Sequence, residues 1–378
     1  MQGGSGLKIF VFGSSIVSSY WNGAATYYRG CYKYLAQRGH EVTFAEPDAY
    51  GRQQHRDAGD FSYVDSVIYR PGKDVDSMVA RASQADVVIK HSGIGVDDAL
   101  LEELVAGMNA YCPTFFWDVD SPATLARIRN DPEDPFRELI PQFEAVLSYG
   151  GGPASKVGYL EFGARAYHTI YNALDPETHH PVAPDLGLNC DVLFLGNRLP
   201  DREARVDELF LQAAELAPAS RFLLGGEGWG DKALPINVRW IGHVPTEDHN
   251  RANCSAGMVM NINRTSMAVS GYSPPTRVFE VAGAGACMLC DDWPGIDDCF
   301  EPGKEILVVR TAQDVVDAIR VYDAPARRQI GTAFRARALR DHTYQQRAEL
   351  AETFFLNAVS SRKSSSSSAM AEVITEHV

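Results

Sequence analysis

The segment Ser273–Asp292, SPPTRVFEVAGAGACMLCDD, decides the fold of this 378-residue chain. Ser273 reads as an N-cap and Pro274 as the first helical residue. Neither proline carries an N–H, so the first free backbone donors belong to Thr276 and Arg277. A helix that opens this way puts amide donors, the positive end of its dipole and a guanidinium at one point, which suits an anionic phosphate. Glu280 follows Arg277 by three positions and Thr276 by four, so the three share a face. Val278, Val281, Ala282 and Gly285 form the opposite, apolar or small face that packs on a sheet. Ala286–Cys290 then reads as a buried strand ending in Asp291 and Asp292. An ordinary capped core helix has much of this pattern, so the segment by itself leaves both readings open.

Working outward, the rest of the chain alternates strands and helices. Strands are expected at Lys8–Phe12 and Glu41–Ala45, then near Ser66–Tyr69, Asp86–Lys90, Thr114–Trp117, Ala145–Ser148 and Tyr167–Ile170. Helices include Asp97–Met108 and Pro122–Arg129. Buried strands alternating with helices argue for a parallel α/β sheet. A linker, Tyr171–Asn189, rich in Pro, His and Asp, separates this from a second series. That series runs through the strands DVLFLG (191–196), RFLLGG (221–226), NVRWIG (237–242) and GMVMNI (257–262), with a helix at Asp201–Leu216. Helices follow to about Val359. The tail from Ser360, with its serine run, is expected to be without structure. The domains are therefore drawn at 1–175, 176–340, a C-terminal helix at 341–359 and a tail at 360–378.

Composition narrows the function. A hydrophobic content of 45% and a charged content of 22% are ordinary for a globular protein. A formal charge of −14 argues against a general nucleic-acid binder, though not against a small basic pocket. No run is long and apolar enough to span a bilayer, and MQGGSGLKIF does not read as a signal peptide, so a cytoplasmic protein is expected. The seven cysteines are scattered, as reduced thiols would be. Cys287 and Cys290 form a C-x-x-C inside a strand and read as buried small hydrophobes. The oligomeric state is left open.

In parallel sheets ligands bind beyond the carboxyl ends of the strands, which ranks the polar residues. Arg198 and Arg202, in GNRLPDREAR, can hold a pyrophosphate or can belong to a solvated helix start with Asp201 and Glu203. Asn263 and Arg264 either bring another positive group to the same point or form a surface turn. Asp118 and Asp120, in FFWDVDSPATL, offer a general base, although one of them can cap the helix that follows. His91 ends another strand and is either a base or a structural ring. The loop GSSIVSSYWNG (13–23) has neither G-x-G-x-x-G nor G-K-[ST], which argues against a dehydrogenase or a P-loop and leaves a loop able to approach a ligand through its backbone. His179 and His180 lack a companion ligand cluster, and no metal site is expected there.

The pattern resembles the GT-B nucleotide-sugar glycosyltransferases: two Rossmann-like α/β domains facing a central cleft, with C-terminal helices packing back toward the first. More closely, the chain is similar to the CgeB-type (spore-maturation-like) glycosyltransferases in YWNGAATYYRGCYKYLAQRGHEVTFAEPD, FFWDVDSPATL, LSYGGGPA, PPTRVFEVAGAGACMLCDDWPGIDDCFEPGKEILVV and RALRDHTYQQRAEL. The resemblance implies a hexosyltransferase-like enzyme that takes a nucleotide-diphosphate sugar as co-substrate, with no other cofactor, and passes the sugar to an acceptor held on the first domain. It places Glu280 at the ribose, His243 and Val244 at the nucleobase, and Arg198 and Arg202 at the donor phosphate; Asn263, Arg264, Ser273, Thr276 and Arg277, read above from the strand end and the helix start, are expected to bind the same donor. The superfamily pairs that Glu with an acid eight residues earlier, where this chain has Tyr272. Asp118-Val119-Asp120 is formally a D-x-D, but a metal-independent reaction is expected, with the helix N-terminus and arginines meeting the leaving phosphate. An inverting reaction needs a base from Asp118, Asp120 or His91, whereas a retaining one does not. A nucleotide-sugar epimerase and a non-catalytic nucleotide-sugar-binding protein are the alternatives.

Overall fold

The computed structural model describes residues 6–375, with side chains as far as Ser364. The chain forms two compact units, Met1–Tyr171 with Tyr344–Val378, and Asn172–Thr343.

Unit 1 holds seven strands: β1 (Lys8–Phe12), β2 (Glu41–Pro47), β3 (Asp65–Tyr69), β4 (Val87–His91), β5 (Thr114–Asp118), β6 (Ala145–Ser148) and β7 (Tyr167–Thr169). They lie in the order β3-β2-β1-β4-β5-β6-β7, all parallel. β4, β5 and β6 are buried at every position, as strands covered on both faces must be. The last helix, Tyr344–Thr375, packs on the helix Ala25–Gln37 of this unit. Gly30 permits the approach: a Cβ there would sit 2.3 Å from the Tyr344 ring. Arg38 pairs with Glu349 at 3.1 Å and with Glu352, and His40 reaches Glu352 at 2.9 Å.

Unit 2 holds six strands: β8 (Cys190–Leu195), β9 (Phe222–Gly225), β10 (Val238–Trp240), β11 (Ala256–Asn261), β12 (Met288–Asp291) and β13 (Leu307–Val309). Their order is β10-β9-β8-β11-β12-β13, again all parallel. The strand order reverses between β1 and β4 in unit 1 and between β8 and β11 in unit 2. Crevices at such switch points are where open α/β sheets bind ligands.

Three expectations change. The helix of the opening segment begins at Thr276, with Pro275 in the cap position, extended at φ −70° and ψ 156°. Two successive prolines hold φ in place and discourage helix before them, so Ser273 is no cap. The helix Thr265–Ser270 was not foreseen. The tail from Ser360 is helical backbone as far as Thr375, and 376–378 lie outside the described residues. Arg362 donates to the Asn109 carbonyl at 2.6 Å and Oδ1 at 2.7 Å, and pairs with Glu144 at 3.1 Å. Anchored there, an existing helix extends without a new nucleation cost, and serine is an adequate passenger.

Candidate functional site

At the β8/β11 switch point three arginines converge. Arg202, in the first turn of the helix Pro200–Val206, packs against Gly196, where an added Cβ would lie 3.0 Å from its NH1. Its Nε has no hydrogen-bond partner. Burial, followed by the charges of Arg264 and Arg277, pushes its pKa down, with Asp291 and Asp201 opposing. Of the three cations, Arg264 and Arg277 have carboxylate partners and Arg202 has no ion pair, so an anionic ligand at this point would be favoured. Arg264 pairs with Asp201 at 3.2 Å, and Ser266 Oγ donates to the same oxygen at 2.7 Å.

The helix Thr276–Ala284 points its N-terminus into this region. The amides of Thr276 and Arg277 have no acceptor within the helix. Glu280 is only 9% exposed, and its Oε2 lies 3.1 Å from Arg277 NH1 and 3.4 Å from His249 Nδ1. None of these three atoms makes an aligned hydrogen bond. Burial pushes the Glu280 carboxyl up, but Arg277, His249 and His179 more than reverse this and hold it well below the usual range. Glu280 is thus a carboxylate with acceptor capacity to spare. His249 Nε2 sits 3.2 Å from the Val244 carbonyl, to which it can donate. Val244 is half-buried and His243 is exposed on the same loop.

Asp291 organises the loop beyond β11, a role that the sequence did not reveal. It is buried, and it accepts from Arg205 at 2.7 Å, from the Asn263 amide at 2.9 Å and from Asn261 Nδ2 at 3.0 Å. Asn263 is itself buried beside it. Ser273 is buried just ahead of the helix. Tyr272, which stands where an acid was expected, has φ +47°, and its amide donates to the Pro294 carbonyl at 2.7 Å. Its ring lies over Gly295, where a Cβ would be 2.4 Å away. The residue therefore braces two loops.

Arg198 does not join the cluster. It pairs with Glu203 at 2.7 Å and Asp231 at 2.9 Å and donates to the Gly228 carbonyl at 3.3 Å. The solvated reading holds for Arg198, and the anion-site reading fits Arg202.

The candidate bases in unit 1 are mostly sealed. Asp118 is fully buried. Its Oδ1 accepts from Ser92 Oγ at 2.7 Å, the Asp120 amide at 2.9 Å and Thr124 Oγ1 at 3.1 Å, and its Oδ2 accepts from the Tyr159 hydroxyl. His91 is buried between the Tyr32 hydroxyl and the Trp117 carbonyl, and burial pushes its pKa down to about 3. Neither side chain reaches solvent to act as a base. Asp120 is exposed and caps the helix Ser121–Asn130, accepting from the Ala123 amide. With Asp118 occupied in this way, Asp118-Val119-Asp120 does not present two carboxylates to one metal. Among the described residues no group of three or more His, Cys, Asp or Glu side chains is placed to hold a metal ion.

Comparison with known proteins agrees with the fold. Residues 202–353 match the family model described as glycosyl transferase-like. No curated protein sequence matches the chain. Among solved structures, Anabaena Alr3699/HepE in complex with UDP and glucose is similar over 92% of this chain and 99% of its own, at 16% identity and TM-score 0.63. An α-glucosyltransferase in complex with UDP and a 13-mer DNA covers 93% and 100%, at 12% identity and TM-score 0.67. Sucrose-phosphate synthase from Thermosynechococcus elongatus covers 94% and 100%, at 12% identity and TM-score 0.66. The chain has the GT-B fold, with two Rossmann-like domains, and is glycosyl transferase-like over residues 202–353. Among the described residues no helix is long and apolar enough to cross a membrane.

Proposed function

We propose that the protein is a metal-independent, nucleotide-diphosphate-sugar-dependent glycosyltransferase of the CgeB type. One observation carries this reading. Polar atoms that make no aligned hydrogen bond gather at the unit 2 switch point: Arg202 Nε has no partner, and Arg277 NH1 and His249 Nδ1 share one carboxylate oxygen, Glu280 Oε2, at 3.1 Å and 3.4 Å. Folded proteins leave few such atoms unsatisfied, and a bound ligand is one way to complete a cluster of them. A diphosphate would meet Arg202, Arg264, Arg277 and the helix N-terminus, and ribose hydroxyls would donate to Glu280. The nucleobase would lie along His243–Val244, with Asn263 and Ser273 at the donor's edge. The UDP-bound fold neighbours support a nucleotide-sugar donor.

Transfer breaks the bond between the anomeric carbon and the leaving phosphate, so negative charge grows where these donors converge. Each such donor contributes about 3 kcal/mol to transition-state stabilisation. The sealing of Asp118 and His91 supports a retaining route, in which the leaving phosphate takes the acceptor proton. An inverting route would rest on Asp120. All seven cysteines are unpaired, which supports a reducing, cytoplasmic setting. Tyr272 in place of the usual acid favours a second reading, a nucleotide-sugar-binding protein without turnover.

A thermal-shift screen against UDP-, GDP- and TDP-linked sugars tests the site. One base series should stabilise the protein, and Glu280→Ala should lower that affinity tenfold or more. No stabilisation by any of them rejects the assignment. Binding without hydrolysis or transfer selects the second reading.

A further inference from the structure

The loop Gly13–Gly23 ends up at the switch point of the unit 1 sheet, where β1 and β4 are neighbours. Three aromatic residues stand out of the strand-end loops there. Tyr20 and Trp21 follow β1 and are 41% and 80% exposed, and Tyr50 follows β2 and is 52% exposed. Trp21 has φ +48° and Tyr50 has φ +58°. Bulky side chains rarely adopt left-handed backbone, and it persists where the surroundings over-determine it, often at binding sites.

Here the surroundings are built around Arg52. Its buried guanidinium donates to the carbonyls of Ser14 at 3.1 Å and Trp21 at 3.4 Å and lies 4.9 Å from the centre of the Tyr50 ring. The Tyr50 hydroxyl donates to the Gly95 carbonyl at 2.7 Å, beyond β4. Tyr20 stacks on His55 at 3.9 Å, and its ring meets Trp21 edge-on at 6.2 Å. One buried cation and a few hydrogen bonds thus tie together loops from three strands and hold the rings in place in solvent.

The chemistry of the face selects an occupant. Three residues are far fewer than the roughly 20–30 a side of a stable protein interface. The platform is made of amphipathic rings rather than aliphatic side chains. Asp48 is exposed beside it, and Asp57 holds the Ser19 amide at 2.9 Å and Arg29 at 2.6 Å, which suits an anionic lipid surface poorly. What fits is a rigid ligand with an apolar face for the rings and hydroxyls for the exposed Asp48 carboxylate. We propose that Tyr20, Trp21 and Tyr50 form a stacking platform for a saccharide, so that the acceptor of the transferase is a carbohydrate; as an acceptor assignment this rests on the function proposed above.

The test uses the full chain. Trp21 is the most exposed of the five tryptophans, so acrylamide quenching reports on it. The probes are soluble starch, mixed-linkage β-glucan, xylan, mannan and their hexasaccharides, with phosphatidylserine vesicles as the competing surface. At least one saccharide should protect Trp21 and retard the protein in an affinity gel. Trp21→Ala and Tyr50→Ala should weaken retardation tenfold or more, and Trp21→Phe, which keeps a ring, should stay within threefold. Circular dichroism shows that each variant is folded. Protection by none of the saccharides, equal retardation of Trp21→Ala, or vesicle binding in place of saccharide binding overturns the proposal. Saccharide binding without any effect of nucleotide sugars would keep the platform and reject the transferase.

Discussion

The carboxyl ends of the two sheets carry similar residues and treat them in opposite ways. In unit 1 the carboxylates at the strand ends are braced by donors, although Arg52 Nε, Gln53 Oε1 and the Tyr28 and Tyr69 hydroxyls elsewhere in the unit make no hydrogen bond. Asp118 receives four hydrogen bonds, and Glu46 receives the Ile16 amide and Gln53 at 2.7 Å each. In unit 2 the half-buried Arg202 leaves Nε without a partner, and Arg277 and the buried Glu280 meet only as an ion pair without an aligned hydrogen bond. A satisfied buried network rigidifies a scaffold, whereas an unsatisfied one is stabilised by what binds to it. Position at a strand end is therefore necessary for a site but does not make one.

The sharpest way to break this contrast is Arg202→Ala. It should lower kcat/KM for the nucleotide sugar at least a hundredfold, about 3 kcal/mol of transition-state stabilisation. The melting temperature should stay level or rise, because a buried cation facing two others is removed. A large loss of stability with activity intact would show that Arg202 is structural.

Asp118→Asn should do the reverse. The new amide turns a donor toward groups that already donate, at a cost of about 2–3 kcal/mol of stability. Nucleotide affinity in the folded variant should be unchanged, as isothermal titration would show. A pure loss of turnover at constant stability would return Asp118 to the list of bases.

His91 sharpens the same point through pH. Its folded pKa is depressed from 6.5 to about 3, so below 6.5 the unfolded chain takes up a proton that the folded chain refuses. Stability contributed by the neutral ring is fully present above 6.5 and falls by about 1.4 kcal/mol per pH unit on acidification toward 3. His91→Gln should flatten denaturant midpoints across that window. An unchanged slope would mean that the ring reaches solvent.

The sequence showed the scaffold more clearly than the site. Strands such as VVIKH and TFFWD are buried at every position, and their apolar runs, Val87–Ile89 and Phe115–Trp117, mark them without tertiary information. The strand-end rule located Asp118 and His91 correctly but says nothing about direction, and both turn into the layer beneath the sheet end. Asp291 was visible only as the end of a strand, since its three donors come from residues 28 to 86 positions away. The cap at Ser273 was misplaced because the second proline moved the helix start past it.

The pair Arg198 and Arg202 shows how small a distance in sequence separates the two behaviours. Both lie near the turn after β8, and type and spacing do not tell them apart. Leu199, extended at φ −120°, and Pro200 turn the chain between them. Arg198 is left at the surface with Glu203 and Asp231, and Arg202 faces inward along Gly196. Exposed pairs such as those of Arg198 contribute little to stability. Arg198→Ala should therefore change nucleotide-sugar KM and kcat by less than threefold and the melting temperature by little. If it matched Arg202→Ala in a steady-state assay, the surface network would have to open on donor binding, and the division between braced and unsatisfied arginines in unit 2 would fail.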